Sequence, residues 1–314
     1  MLLKRLLLAT ALASTPAWAQ TPPAPAPAQA VKPAPAATPA PVATVDADPA
    51  LWVVKDDDTT IYMLGTVHVL KPGLSWFDEA VRKAFDDSQE VVLEIVMPED
   101  PAAMQAALLP KALDTSGTTL TAKLPAETKP KYEAALASLG LPAATFDKFK
   151  PWFVSTTLVM LPLGKLGYDP ESGVEKQVTA AAKAAGKPVS GLETIDQQLG
   201  FFAGLSDKAQ MGLLVSTVDE FPQVGPTLDR MVTSWSKGDP EALAKELNDQ
   251  LETQPEVAKV LLHDRNARWA DWIKTRLDKP GTVFMAVGAG HLAGKDSVQD
   301  ALAARGLKAT RIAY

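Results

Sequence analysis

Residues 59–68 read Thr-Thr-Ile-Tyr-Met-Leu-Gly-Thr-Val-His, and residues 282–291 read Thr-Val-Phe-Met-Ala-Val-Gly-Ala-Gly-His. Each is a β-prone, mostly apolar run that ends in Gly-x-x-His and then turns towards a helix. Such runs fit strands buried on both faces. After the first, Ser75 with Asp78 predicts a capped helix start, and Phe77, Val81 and Phe85 give that helix an apolar stripe. Glu90 to Val96 is the next strand. Strand, helix and strand in succession predict a sheet covered by helices.

The remaining elements extend the pattern. Residues 100–165 are rich in Ala, Leu and Pro, and Pro110, Pro125, Pro130, Pro142, Pro151 and Pro162 should cut them into short helices. A helix near Val174–Ala185 should stop at Gly186, and a short strand should span residues 187–192. Thr194 with Gln197 is a capping box that starts another helix. Further helices are expected near 205–220, 224–236 and 240–249. Glu256 to Leu277 reads as one long helix, and a short helix (297–305) leads to a closing strand, Lys308 to Ala313. The fold class is α/β: a central mixed sheet flanked by helices, with a largely helical middle section.

Outside this domain the composition changes. Lys4 and Arg5 precede the apolar run Leu6 to Ala13, and Ala17-Trp18-Ala19 follows, so residues 1–19 read as a cleaved signal peptide. That run is too short to span a bilayer, and no later segment is long and apolar enough. Residues 20–49 hold nine of the 26 prolines and read as an extended linker before a domain over 50–314. The expected location is periplasmic or extracellular. Without residues 1–19 the chain has 29 Lys and Arg against 37 Asp and Glu, a charge of −8. That balance disfavours nucleic acid as a partner. There is no Cys, hence no disulfide framework and no thiolate nucleophile or ligand.

Chemistry points to the two Gly-x-x-His loops. In open α/β sheets ligands bind beyond the carboxyl ends of strands, where His68 and His291 should lie. Glycine three residues earlier permits a sharp turn and a close backbone approach. Imidazole at such a place can ligate a metal or move a proton. Catalytic metal sites commonly take three protein ligands. Glu94 is the best third member, because it interrupts an apolar strand where a carboxylate is costly unless paired or liganded. Glu193, just past a strand, is another. Val257, Leu261, Arg265, Trp269 and Trp272 share one helical stripe, so Arg265 lies within an apolar face and asks for a carboxylate or an oxyanion. Asn266 lies beside it. His263 should face water. The bland reading makes Glu94 and Arg265 a structural ion pair and the tryptophans core.

These residues resemble the TraB/GumN family, which is related to the Tiki proteases of animals. The resemblance rests on five ordered motifs over about residues 50–314. They are Leu51-Trp52 with Ile61 to His68; Val91-Val92-Leu93-Glu94; Gly191-Leu192-Glu193-Thr194 with Gln198-Leu199; Arg265-Asn266 with Trp269; and Val287 to Leu292 with Gly306 and the closing strand. It implies a Tiki-type fold, similar to erythromycin esterase and to a haem-binding lipoprotein fold. It also implies a metal-dependent hydrolase acting on a peptide or protein, with His68, Glu94 and His291 as ligands. Manganese or cobalt is the implied metal, with zinc as a further option. Glu193 is then expected as general base or further ligand, and Arg265 with Asn266 as stabilisers of an oxyanion. The rival expectations are a haem- or peptide-binding protein without catalysis, and an accessory factor in polysaccharide or surface assembly.

Overall fold

A computed structural model describes residues 44–248 and 253–313 of the 314. The signal-peptide reading and most of the linker lie outside the described residues. The strands are β1 (Val45–Asp46), β2 (Leu51–Lys55), β3 (Thr59–Thr66), β4 (Leu74–Ser75), β5 (Glu90–Ile95), β6 (Val189–Glu193), β7 (Gly281–Gly288) and β8 (Thr310–Ile312). The helices are α1 (Glu79–Asp87), α2 (Pro101–Ala112), α3 (Leu120–Lys123), α4 (Lys129–Ser138), α5 (Pro151–Met160), α6 (Val174–Ala184), α7 (Ile195–Ala203), α8 (Asp207–Glu220), α9 (Val224–Ser236), α10 (Pro240–Asn248), α11 (Pro255–Ala258), α12 (Asp264–Leu277) and α13 (Val298–Ala303).

Six strands form the main sheet in the order β6-β5-β7-β3-β2-β8. The first four are parallel; β2 runs antiparallel to both β3 and β8. The mixed sheet with flanking helices is therefore as read from the sequence. β7 enters between β3 and β5, which places the two Gly-x-x-His strands side by side, Thr66 opposite Gly288. β1 pairs with β4, and Ala47 is buried, so the described fold reaches back into the stretch read as linker.

Period-two alternation assigns the strand side chains to two cores. Val91, Leu93, Phe284, Ala286 and Leu64 face α1 and α6. Val92, Val283, Met285, Val287, Ile61 and Met63 face α12 and α13. Glu94 falls on the Val92 side of β5, the side that α12 covers. The middle section packs separately, around Trp152, Leu199 and Leu213 and around Tyr132, Leu158 and Leu214.

Several local expectations change. The first helix starts at Glu79, not Ser75, because Ser75 belongs to β4 and donates its hydroxyl to Asp78 at 2.5 Å. Pro110 lies inside α2, while Pro130 and Pro151 sit in the first turns of α4 and α5, where a missing N–H costs nothing. The long last helix is interrupted: Lys259–His263 is a π-turn between α11 and α12. The Thr194–Gln197 capping box is present in full.

Candidate functional site

The glycines of the two motifs supply no left-handed turn, but the first does allow a close approach. Gly65 is the penultimate residue of β3 and Gly288 the last of β7, and neither has a positive φ. What Gly65 permits is contact between the loops: a Cβ there would lie 3.0 Å from both Cα and Cβ of Ala289. The strand edge thus docks against the short turn Ala289–Leu292 that carries His291.

Around that turn a buried polar cluster forms, on the α12 side of the sheet. Arg265, only 1% exposed, grips Glu193 with Nε donating to Oε1 at 2.9 Å and Nη2 to Oε2 at 2.7 Å. The same Nη2 donates to Glu94 Oε1, and Gln198 Nε2 donates there too. Glu94 Oε2 accepts from the Gly288 N–H at 3.2 Å. Trp269 donates Nε1 to Glu193 Oε1 at 3.1 Å and lays its ring 4.3 Å, centroid to centroid, from His291. The stripe on α12 therefore finds the carboxylates it asks for, and finds two. Glu193 ends β6, Glu94 sits in β5, and both reach one guanidinium.

His291 is oriented by its neighbours. Asn266 donates Nδ2 to the Asp296 carbonyl at 2.7 Å, which turns Oδ1 towards His291 Nδ1 at 2.6 Å. An amide oxygen only accepts, so Nδ1 carries the proton and Nε2 keeps its lone pair. That lone pair faces Arg265 Nη1 at 3.1 Å.

His68 is held from the other side of the sheet. Its Nδ1 lies 2.5 Å from Oε1 of Glu175, in the first turn of α6, and the Thr66 hydroxyl donates to the same oxygen. Burial alone would raise the Glu175 carboxyl. The positive charge that His68 can carry, its hydrogen bond and the Thr66 hydroxyl outweigh that and hold it below its ordinary value. For Arg265, burial disfavours the charged form, but Glu94 and Glu193 outweigh it and raise its affinity for the proton. His263, predicted to face water, is half-buried and approaches Asp296 at 3.5 Å.

Glu94, Glu193, Arg265, Asn266 and His291 thus meet in one network, with His68 at the end of the neighbouring strand. Among the described residues no three His, Asp or Glu side chains are arranged to hold a metal ion. The donor chemistry still suits a divalent ion. Both imidazoles are fixed through Nδ1 by a second residue, as metal-bound histidines are, and the Arg265 guanidinium lies between His291 Nε2 and the Glu94 carboxylate. Sequence reasoning missed Glu175, whose place near a helix start has a sufficient explanation in the helix dipole. It also missed the roles of Gln198, which signalled only a motif, and of Trp269, which was read as stripe and core.

The sequence model of the TraB/PrgY/gumN family matches residues 50–311. The chain is 24% identical over 254 residues to the uncharacterized protein YbaP of Escherichia coli (strain K12), covering 81% of this chain and 92% of that protein. It is 23% identical over 272 residues to an uncharacterized protein of Treponema pallidum (strain Nichols), covering 82% and 80%. No solved structure matches the chain.

Proposed function

Because the chain belongs to the TraB/PrgY/gumN family, we propose that it is an exported metal-dependent hydrolase with peptide bonds as its leading substrate class. The fold would be of the Tiki and erythromycin-esterase type. The observation that carries the reading is the pair of imidazoles. They sit at the carboxyl ends of adjacent parallel strands, and each is held at Nδ1; His291 Nε2 meets Arg265 Nη1 at 3.1 Å, a contact that a bound ion would have to displace.

His68, Glu94 and His291 would hold the ion, manganese or cobalt in preference to zinc. Such an ion polarises a carbonyl and lowers the pKa of a bound water. This chain's residues do the rest. Asn266 fixes the tautomer of His291, since its Nδ2 and Oδ1 are both engaged and it orients the ring rather than meeting an oxyanion. Glu193 takes Arg265 on both oxygens and so anchors it rather than accepting a proton, whereas Glu94 is held by Arg265 and Gln198 on Oε1 and only by the Gly288 N–H at 3.2 Å on Oε2, the oxygen an ion would have to take over. Arg265 offers the positive charge that a developing oxyanion needs in a water-poor site.

One observation favours a second reading. Arg265 already neutralises Glu94, as a structural ion pair would, and a chain built that way would bind a peptide or haem without cleaving it.

The test uses full chain without a histidine tag. Metal content, hydrolysis of a mixed peptide library and an absorption spectrum with added haem are measured on wild type, His68→Ala and His291→Ala. Near-stoichiometric manganese or cobalt, with cleavage lost on chelation and in both variants, supports the proposal. Folded variants that cleave as well as wild type, or a wild type that takes up no metal, sink it. A haem band dependent on both histidines selects the second reading. Export is tested separately, by fractionation and N-terminal sequencing; an uncleaved cytoplasmic chain removes that part.

A further inference from the structure

The partner of His68 comes from a segment to which the sequence motifs assigned no role. Residues 169–175 run along residues 66–70 and attach to them at several levels. Asp169 N–H donates to the Leu70 carbonyl and Val174 N–H to the Val67 carbonyl, both at 3.0 Å. Between them Gly173 passes so close that a Cβ would lie 2.3 Å from the His68 carbonyl oxygen. Its φ is −59°, so glycine is demanded here by contact and not by backbone conformation. One step further, the Glu175 carboxylate receives both Thr66 Oγ1 and His68 Nδ1.

A helix N-terminus is a comfortable place for a carboxylate in any protein. Glu175, however, is only 19% exposed and is turned back onto the loop before its helix, not outward to water. An ionised carboxylate only accepts hydrogen bonds, so the imidazole must supply the proton at Nδ1.

We propose that Gly173, Val174 and Glu175 are a clamp on the first Gly-x-x-His loop, in which Glu175 is a positioning residue that fixes His68 in the Nδ1–H form, so that Nε2 is the basic nitrogen of the ring. What Nε2 then does rests on the metal-hydrolase reading. The tautomer does not, and it can be read without any metal.

Carboxylate partners of this kind orient the ring and raise its basicity as a ligand, and removing one typically costs 10–100-fold in metal affinity. Asn266 does the corresponding work for His291 from α12, with a neutral amide. The two imidazoles are thus set from opposite sides of the sheet by helices that share no segment.

The chain has three histidines, so long-range proton–nitrogen spectra of ¹⁵N-labelled full chain resolve each ring. They are recorded at a pH where all are neutral, and His68 is assigned by its loss in His68→Ala. His68 is expected to carry its proton at Nδ1 in wild type and in Glu175→Gln, which retains an acceptor oxygen. In Glu175→Ala it is expected to shift to the Nε2–H form or to a mixture. Gly173→Ala, which must push the segment off the loop, should shift it in the same direction. Manganese titration of the same samples should show affinity about 10–100-fold weaker in Glu175→Ala, with Glu175→Gln recovering much of it. An unchanged tautomer in a folded Glu175→Ala overturns the clamp. A tautomer that switches while wild type itself binds no manganese keeps the clamp and removes the metal reading.

Discussion

Replacing Arg265 with Met tests the buried cluster most directly. Methionine keeps most of the aliphatic volume beside Trp269 and removes the guanidinium that lies over that ring. Two carboxylates, Glu94 at 5% exposure and Glu193 at 6%, then lose the group that neutralises them. Gln198, Trp269 and the Gly288 amide still donate to them, and the half-exposed Arg268 stays 3.8 Å from Glu193 Oε1, but no buried guanidinium remains between the two carboxylates. Removing one partner of a buried pair costs about 3–5 kcal/mol. For a domain of this size each kcal/mol moves the midpoint by about 2–4 °C, so the fall should be roughly 6–20 °C. Urea unfolding followed by tryptophan fluorescence should show the loss as a lower midpoint at unchanged slope. The loss should shrink as pH falls, because stranded carboxylates can take up protons and escape the cost of buried charge. The triple variant Arg265→Met, Glu94→Gln, Glu193→Gln should recover most of it, since replacing the whole ionic group is far cheaper than halving it. An Arg265→Met protein within about 1 kcal/mol of wild type at pH 8 would refute the reasoning: the carboxylates would then have water or another cation.

Three further outcomes are expected. Gly65→Ala forces a methyl to 3.0 Å from Ala289, so it should cost about 1–3 kcal/mol in thermal unfolding and move the His291 ring signals in NMR spectra; wild-type values on both would rule the contact out. Trp269→Phe keeps the ring face against His291 and loses the bond to Glu193, which should cost about 1.5–3 kcal/mol in urea; no measurable loss would mean Glu193 holds without it. Away from the site, the Lys123 hydrogen bond lowers the Asp114 carboxyl to about 2, from an ordinary 3.8. The folded value lies below the unfolded one, so this pair stabilises the fold above about pH 4 and the gain fades as pH falls towards 2. In Lys123→Met, NMR titration should find Asp114 moved up towards its ordinary value, and a carboxyl still near 2 would assign the shift to another cause.

The legible parts were those carried by short-range chemistry. Thr194 with Gln197 announces its helix because a capping box needs only four consecutive residues. The apolar runs 59–64 and 282–287 announce strands for the same local reason, and the structure lengthens each only slightly. Arg265 was readable as a buried cation in need of an anion, because a 3.6-residue stripe is also local. Where local signals misled, a longer contact had taken over. Ser75 left its expected cap to pair with β1, and the last long helix gave up regular hydrogen bonding at Lys259–His263 just before Arg265. The carbonyl of Leu261, inside that π-turn, receives a hydrogen bond from Arg265 Nη1 at 3.3 Å.

Apart from the Glu94–Arg265 pair, which the bland reading named, the partners of the candidate residues were not legible, because they depend on strand order. His291 meets Asn266 across 25 positions, and Thr66 and His68 share Glu175 from more than a hundred positions away. No pattern in the chain says that β7 inserts between β3 and β5, yet that insertion puts the two Gly-x-x-His strands side by side. By itself, then, the amino-acid order determined which segments become strands and helices, which side chains face inward, and that two imidazoles end strands. Tertiary structure alone decided how both carboxylates reach one guanidinium, and which nitrogen of each ring carries the proton. Hydrophobic periodicity specifies a face, but an ion pair or a tautomer is specified only when a second element closes over that face.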